Sequence, residues 1–149
     1  MNIFDIQIAF GNEVPNKISL NIYFSGCFDN KKCERHLCQN NHIHDFSNGY
    51  SYKNFLQEIK EIISKNDLIE CVCYLGGEPL DQDINKMLDF TNKIRSTNSD
   101  IPIYSFTGYD YADNKGKIDN FASVLRITNI YAGHYSPKYN CQAWIKNSF

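Results

Sequence analysis

The stretch SLNIYFSGC, residues 19–27, joins the pattern of a β-strand to the first of three clustered cysteines. Apolar and polar side chains alternate from Ser19 to Phe24, which predicts a strand. Ser25-Gly26 is a turn signal. We therefore expect Cys27 just beyond the C-terminal end of a strand.

The other two clustered cysteines, Cys33 and Cys38, lie in a polar segment, residues 28–49, that has neither helical nor strand periodicity. This segment is predicted to be a long loop, and loops of this length usually have a function. In a reducing compartment disulfides are rare, so the crowding of three cysteines indicates metal binding or catalysis.

The rest of the chain alternates between helical and strand patterns. In chain order we expect a helix over about Ser51–Ser64, a strand over Glu70–Leu75, a helix with the apolar face Ile84–Ile94 and Asp81 as its N-cap, a strand over Ile101–Phe106, a weak helix near Lys117–Ala122 and a strand over Val124–Ile130. Such alternation predicts an α/β fold with a mostly parallel sheet. About four or five strands are too few to close an eight-stranded barrel, so we expect a partial, open βα barrel, with residues 1–149 as one domain.

Composition excludes some function classes. The chain has 149 residues and a formal net charge of -2, without the basic stripe of a general nucleic-acid binder. No segment approaches the ~20 apolar residues that cross a bilayer, and Met1–Phe10 does not have the pattern of a secretory signal. We expect a cytoplasmic protein with neither nucleic acid nor membrane as partner.

The cysteine cluster permits three interpretations. Three thiolates can hold a four-iron cluster and leave one iron open to a small chelating ligand. The same cysteines with one histidine would form a Cys₃His zinc site, and the candidate histidines are His36, His42 and His44. Ordinary free cysteines are the third interpretation. Spacing alone does not decide among them.

A second motif, Gly76-Gly77-Glu78-Pro79, follows an apolar strand and precedes a helix. Two glycines permit positive φ and close approach of a ligand, and Glu78 offers a carboxylate for a ligand's ammonium group. A plain strand-to-helix turn is the alternative. Cys27, this motif and Thr107-Gly108 all follow predicted strands, so they are expected at the carboxyl edge of the sheet, where ligands bind.

Several runs of residues together resemble the radical S-adenosylmethionine superfamily, and within it most closely the small activating proteins of anaerobic ribonucleoside-triphosphate reductase, which are glycyl-radical activases. These runs are Phe24-Ser25-Gly26-Cys27, Cys38-Gln39-Asn40, Asp45-Phe46, Gly76-Gly77-Glu78-Pro79-Leu80 and Tyr104-Ser105-Phe106-Thr107-Gly108-Tyr109, in matching order.

The resemblance implies a [4Fe-4S] cluster on Cys27, Cys33 and Cys38. It also implies a site for S-adenosylmethionine at the Gly76-Gly77-Glu78 motif, with Glu78 on the amino group. Ser105 and Thr107 would be candidates for contacting the methionine or ribose part.

The implied activity is reductive cleavage of S-adenosylmethionine to a 5'-deoxyadenosyl radical, which would generate a glycyl radical on the large reductase. The implied electron donor is flavodoxin or ferredoxin. Action on another protein or peptide, a zinc-binding module and an electron carrier with a saturated cluster are the alternatives.

The chain departs from the superfamily in two places. The superfamily usually has three and then two residues between its cysteines, whereas this chain has five (residues 28–32) and then four (residues 34–37). An aromatic residue commonly precedes the third cysteine, and here that residue is Leu37. The cysteine loop must therefore bulge.

Two further cysteines, Cys71 and Cys73, alternate on a predicted strand and so face the same side. Free cysteine is among the most buried residue types, so these two are predicted to be part of the core.

Overall fold

The computed structural model describes residues 1–28 and 37–133, together with the backbone of residues 143–146. Its elements, in chain order, are β1 (Asn2–Phe10), β2 (Ile18–Phe24), β3 (Tyr50–Ser51), α1 (Tyr52–Lys65), β4 (Cys71–Gly76), α2 (Ile84–Arg95), β5 (Ile103–Thr107), α3 (Tyr111–Leu125), β6 (Asn129–Ala132) and β7 (Ala143–Lys146). Two short 3₁₀ helices, Asn41–Ile43 and Pro79–Asp81, lie between them. The α/β class is confirmed.

The described strands form one sheet in the order β3-β1-β2-β4-β5-β6-β7. The central strands β2, β4, β5 and β6 run parallel to one another, as the alternating pattern predicts. The flanking strands β1, β3 and β7 pair antiparallel, which makes the whole sheet mixed. Because β2, β4, β5 and β6 are parallel, their carboxyl ends lie at one edge of the sheet. The four strands also follow one another in sequence order.

Helices cover one side of this sheet. The core cluster on that side joins alternate strand residues such as Leu20, Ile22 and Tyr74 to apolar residues of all three helices. Phe90 of α2 lies at its centre, with its ring 5.8 Å from that of Phe24 and 6.1 Å from that of Tyr74. The Tyr74 hydroxyl meets the Thr91 hydroxyl at 2.9 Å, which satisfies both buried groups. No helix in the described part of the chain has the length and apolar character needed to cross a membrane.

The opposite side of the sheet carries a smaller apolar cluster. Cys71, Cys73 and Leu75 of β4 lie there with Tyr104 of β5 and Val14. Cys71 and Cys73 are fully buried, which confirms their predicted place in the core. Because side chains alternate along a strand, the cysteine-bearing side of β4 is the one turned away from the helices.

The bounds of the last predicted helix and the start of the strand after it are wrong. The helix α3 runs from Tyr111 to Leu125 and contains Val124, which the sequence pattern assigns to the strand, and β6 begins at Asn129. Ile118, Phe121, Ala122 and Leu125 recur at helical spacing and are buried, so packing extends the helix. Arg126 then ends it at φ +50° in the left-handed region, where its N–H reaches the Ala122 and Ser123 carbonyl oxygens.

The predicted N-cap of the second helix is also wrong. The Asp83 carboxylate, and not that of Asp81, accepts the N–H groups of Asn85 (2.9 Å) and Lys86 (3.0 Å) at the start of α2. Asp81 ends the preceding 3₁₀ helix, which begins at Pro79. The 3₁₀ helix that begins at Pro79 therefore includes Asp81, and the N-cap of α2 lies two residues later, at Asp83.

Gly76 and Gly77 let the ends of β2 and β4 approach without side chains between them, and Gly26 leaves room for the Phe46 ring. Gly76 has φ +108°, and a Cβ on it would lie 2.4 Å from the Phe24 carbonyl oxygen. A Cβ on Gly77 would lie 2.3 Å from the Gly26 carbonyl oxygen. Gly26 itself has φ +101°, with the Phe46 ring at 2.0 Å from the position of its Cβ. We call Gly26, Gly76 and Gly77 the glycine seam.

We expect Gly77→Ala to lower the free energy of unfolding by about 1–3 kcal/mol, because the added methyl group overlaps backbone that must move. Gly116→Ala is the matched control: a Cβ at Gly116 in α3 meets nothing within 4 Å. That change should leave stability unchanged or raise it by up to about 1 kcal/mol, since alanine favours a helix. Urea unfolding monitored by circular dichroism measures both. Equal effects of the two substitutions would contradict the account of the seam.

Candidate functional site

The carboxyl ends of β2, β4 and β5 meet at one rim, as the sequence predicts. The Glu78 N–H, after β4, donates to the Gly26 carbonyl oxygen, after β2, at 2.8 Å. The Gly108 N–H, after β5, donates to the Glu78 carboxylate oxygen Oε2 at 2.9 Å. Three segments far apart in sequence are thereby joined at Glu78.

The backbone around Cys27 is fixed by hydrogen bonds from consecutive N–H groups. Gly26 donates to the Ile43 carbonyl oxygen (2.9 Å) and Cys27 to the His44 carbonyl oxygen (3.0 Å). Phe28 donates to the Asp81 carboxylate oxygen Oδ2 (2.8 Å). The Cys27 thiol is partly exposed at the rim. This cysteine is therefore held in place before any metal binds.

Cys38 belongs to a segment that is anchored to the same rim. Its carbonyl oxygen accepts the Asn41 N–H at 3.2 Å. The Asn40 side-chain amide donates to the Gly76 carbonyl oxygen at 3.0 Å. The Cys38 thiol is also partly exposed. Cys33 lies outside the described residues, so the structure locates two of the three predicted ligands.

The candidate zinc-ligand histidines occupy different surroundings. The His42 ring packs edge-on against Phe4 with 5.2 Å between ring centres. His44 is buried, and its carbonyl oxygen is the acceptor for Cys27. His36 lies outside the described residues. Within the described part of the chain, no three or more histidine, cysteine or acidic side chains converge on a point.

Glu78 is a buried carboxylate, only 1% exposed. Its oxygen Oε1 accepts the Leu80 N–H at 3.0 Å, and Oε2 accepts the Gly108 N–H. Charge-assisted bonds from two backbone N–H groups fix the orientation of a carboxylate. The Glu78 carboxyl group is thus held in one orientation, in the turn whose backbone N–H contacts the Gly26 carbonyl oxygen next to Cys27.

The two glycines of the motif make close backbone contacts. The predicted approach of a ligand to Gly76 and Gly77 stays a prediction. In the structure their missing side chains allow close approach of the Phe24 and Gly26 backbone. The motif is therefore more than a plain strand-to-helix turn, because it sets the spacing between β2 and β4.

Gln82 is a rim residue that sequence patterns do not predict. Its buried side-chain amide donates to the Ser25 carbonyl oxygen at 2.9 Å and to the Glu78 carbonyl oxygen at 3.2 Å. The amide therefore bridges the cysteine turn and the glutamate turn. No periodicity marks such a bridge.

Ser105 and Thr107 lie on the helix-covered side of β5. Ser105 pairs in register with Tyr74, and Thr107 pairs with Ala132, and both partners belong to the core cluster beneath the helices. The Thr107 hydroxyl accepts the Tyr109 N–H at 3.2 Å. The Ser105 hydroxyl, like that of Ser25, is buried without a hydrogen-bond partner in the described structure. Their predicted contact with a cofactor stays a prediction.

Cys71 and Cys73 have the chemistry of core thiols. A hydrogen bond with Cys71, and then burial, raises the pKa of the Cys73 thiol far above its ordinary value. Only a thiolate is a metal ligand or nucleophile. The same hydrogen bond lowers the pKa of Cys71. Both thiols are fully buried, whereas Cys27 and Cys38 are partly exposed at the rim, where a metal can reach them.

The donor set at the rim suits an iron–sulfur cluster. Cysteine thiolates are the usual ligands of iron–sulfur clusters, and the segments of both described cysteines are pinned to the ends of β2 and β4. A fixed carboxylate beside them adds a polar anchor for a ligand.

Comparison with known families gives a match over residues 17–142 to the 4Fe-4S single cluster domain. This match covers most of the chain and includes all three clustered cysteines. A comparison with curated proteins finds no match. The family match, together with the cysteines at the rim, shows that the chain belongs to the 4Fe-4S single cluster domain family and is an iron–sulfur protein.

Proposed function

We propose that this protein is a radical S-adenosylmethionine enzyme that generates a glycyl radical on a large partner, anaerobic ribonucleotide reductase. The observation that carries the proposal is the junction at Glu78, whose N–H reaches the Gly26 carbonyl oxygen beside Cys27 at 2.8 Å. It brings the turn that bears a cluster cysteine against the turn that bears a fixed carboxylate. A simple electron carrier has no need of such a carboxylate.

In this proposal Cys27, Cys33 and Cys38 hold a [4Fe-4S] cluster and no fourth side chain binds the remaining iron. When bound and reduced by flavodoxin or ferredoxin, the cluster supplies one electron to the sulfonium of S-adenosylmethionine, so that methionine leaves and a 5'-deoxyadenosyl radical remains. That radical would take a hydrogen atom from a glycine Cα of the partner, which would leave a glycyl radical on the partner and release 5'-deoxyadenosine.

In this proposal Glu78 orients S-adenosylmethionine. Its buried carboxylate attracts the ammonium group of the methionine part, and the bonds from Leu80 and Gly108 keep it from turning away. Gly76 and Gly77 act indirectly, since they let the Glu78 turn lie against the Cys27 turn. Thr107 ends the neighbouring strand, and Thr107 and Ser105 remain the proposed contacts for the methionine or ribose part.

We infer that the sheet forms the wall of a partial, open βα barrel. The parallel strands β2, β4, β5 and β6 follow one another in sequence order, and helices α1 to α3 pack on one side. Barrel folds place their helices on one side in this way, whereas doubly wound sheets place them on both. The side away from the helices would then be the concave one, open to a glycine-bearing loop of a cytoplasmic partner.

The protein purified without oxygen should contain about four irons per chain and absorb near 400 nm. With dithionite and S-adenosylmethionine it should release 5'-deoxyadenosine, which liquid chromatography measures. Colourless protein containing zinc, or iron-loaded protein that releases no deoxyadenosine, would contradict the proposal.

Replacing Cys27, Cys33 or Cys38 with Ser should abolish iron loading. The control Cys73→Ala, in the buried core, should retain the iron.

Glu78→Gln should weaken the binding of S-adenosylmethionine to the iron-loaded protein by at least about tenfold, because a buried charge-assisted bond is lost. Iron content should stay at the wild-type value. Equilibrium dialysis with labelled S-adenosylmethionine measures the affinity. Glu61→Gln, an exposed change on α1, is the control for loss of one negative charge. Unchanged affinity, or iron loss equal to that of the cysteine variants, would rule out this role for Glu78.

A further inference from the structure

Three aspartates in the described structure share one arrangement, in which the carboxylate accepts a tyrosine hydroxyl and a lysine ammonium. The groups are Asp89 with Tyr52 (3.0 Å) and Lys93 (2.5 Å), Asp119 with Tyr111 (3.1 Å) and Lys115 (2.6 Å), and Asp81 with Tyr109 (2.5 Å) and Lys117 (3.1 Å). In each group the lysine also lies over the ring of its tyrosine.

The Asp81 group differs from the other two in burial. The Asp81 side chain is 0% exposed, whereas those of Asp89 and Asp119 are 45% and 39% exposed. Lys117 lies 3.8 Å from the centre of the Tyr109 ring, a much closer contact than in the other groups. Exposed ion pairs contribute little to stability, but a buried carboxylate must be well bonded.

The Asp81 group also differs in what it holds. Asp89 and Asp119 are paired with a lysine one helical turn away, at i,i+4. Asp81 instead joins three separate segments: its own turn after β4, Tyr109 and Lys117 after β5, and the Phe28 N–H after β2. Phe28 directly follows Cys27 and begins the segment that leads to Cys33.

We propose that Asp81 is a positioning residue for the iron–sulfur cluster, which holds the start of the cysteine loop against the rim. The proposal rests on the assignment of Cys27 as a cluster ligand. Asp81 acts through the backbone: its oxygen Oδ2 receives the Phe28 N–H, while Tyr109 and Lys117 hold its oxygen Oδ1. The long spacing between the cysteines gives this anchor a purpose, because a longer loop has more conformations to restrict.

The substitution Asp81→Asn tests the anchor with little change of shape. Each of the three groups named above donates a hydrogen bond to Asp81, and an asparagine amide nitrogen cannot accept one. With the asparagine oxygen toward Tyr109 and Lys117, the amide nitrogen faces the Phe28 N–H, so this bond is lost. In the opposite orientation the amide nitrogen meets the Lys117 ammonium, which can only donate, and the Tyr109 hydroxyl must turn to accept. The first orientation keeps more hydrogen bonds and is therefore favoured.

We expect Asp81→Asn to take up iron and then lose it to an excess of chelator about tenfold or more faster than wild type, since a charge-assisted bond to the loop is missing. The loss is followed by absorbance near 400 nm under anaerobic conditions. Lys117→Met, a change at a partly exposed side chain, should also accelerate the loss of iron, but by a smaller factor than Asp81→Asn.

Two controls separate anchoring from general stability. Asp119→Asn removes the same chemical group from α3 and should leave the rate of iron loss unchanged. Ile94→Val, in the core of α2, should lower the midpoint of urea unfolding without changing that rate. Iron loss at the wild-type rate in Asp81→Asn, or equally fast loss in Ile94→Val, would overturn the proposal. A wild-type protein without iron would instead refute the assignment of Cys27.

Discussion

The contact between the ends of β2 and β4 has no room for a side chain, and the rest of the rim depends on it. Gly77 and Gly26 approach so closely that a single methyl group would overlap backbone, and Gly76 has a φ that other residues rarely adopt. Because the two turns touch, the Glu78 N–H can reach the Gly26 carbonyl oxygen. The spacing between the Cys27 turn and the Glu78 turn is therefore fixed by backbone.

Two buried carboxylates in the segment after β4 then join it to two other segments of the rim. Glu78 binds the end of β5 through Gly108, and Asp81 binds the start of the cysteine loop through Phe28. Buried charges are costly unless they are paired and hydrogen-bonded, so both carboxylates strongly favour a single arrangement of these segments. A rim of this kind can present thiolates and a negative charge to a ligand without rearranging.

Sequence patterns predicted the central strands well, because alternation and turn signals are local properties. They placed Cys27, Glu78 and Thr107 at one edge. They did not find β1, although Asn2–Phe10 alternates, since that stretch was considered only as a leader. The boundary at Val124 depended on tertiary packing, as did the role of Asp81, whose partner Phe28 is 53 positions away. Long-range bonds of this kind leave no periodic signal.

The proposed activity requires that one iron of the cluster is left for S-adenosylmethionine. Electron paramagnetic resonance of the dithionite-reduced protein, recorded before and after addition of S-adenosylmethionine, distinguishes an open iron from a closed one. A ligand that binds to an iron alters the g-values of the reduced cluster, so we expect the spectrum to shift. An identical spectrum at saturating S-adenosylmethionine would mean that protein side chains close all the irons, and would contradict the account.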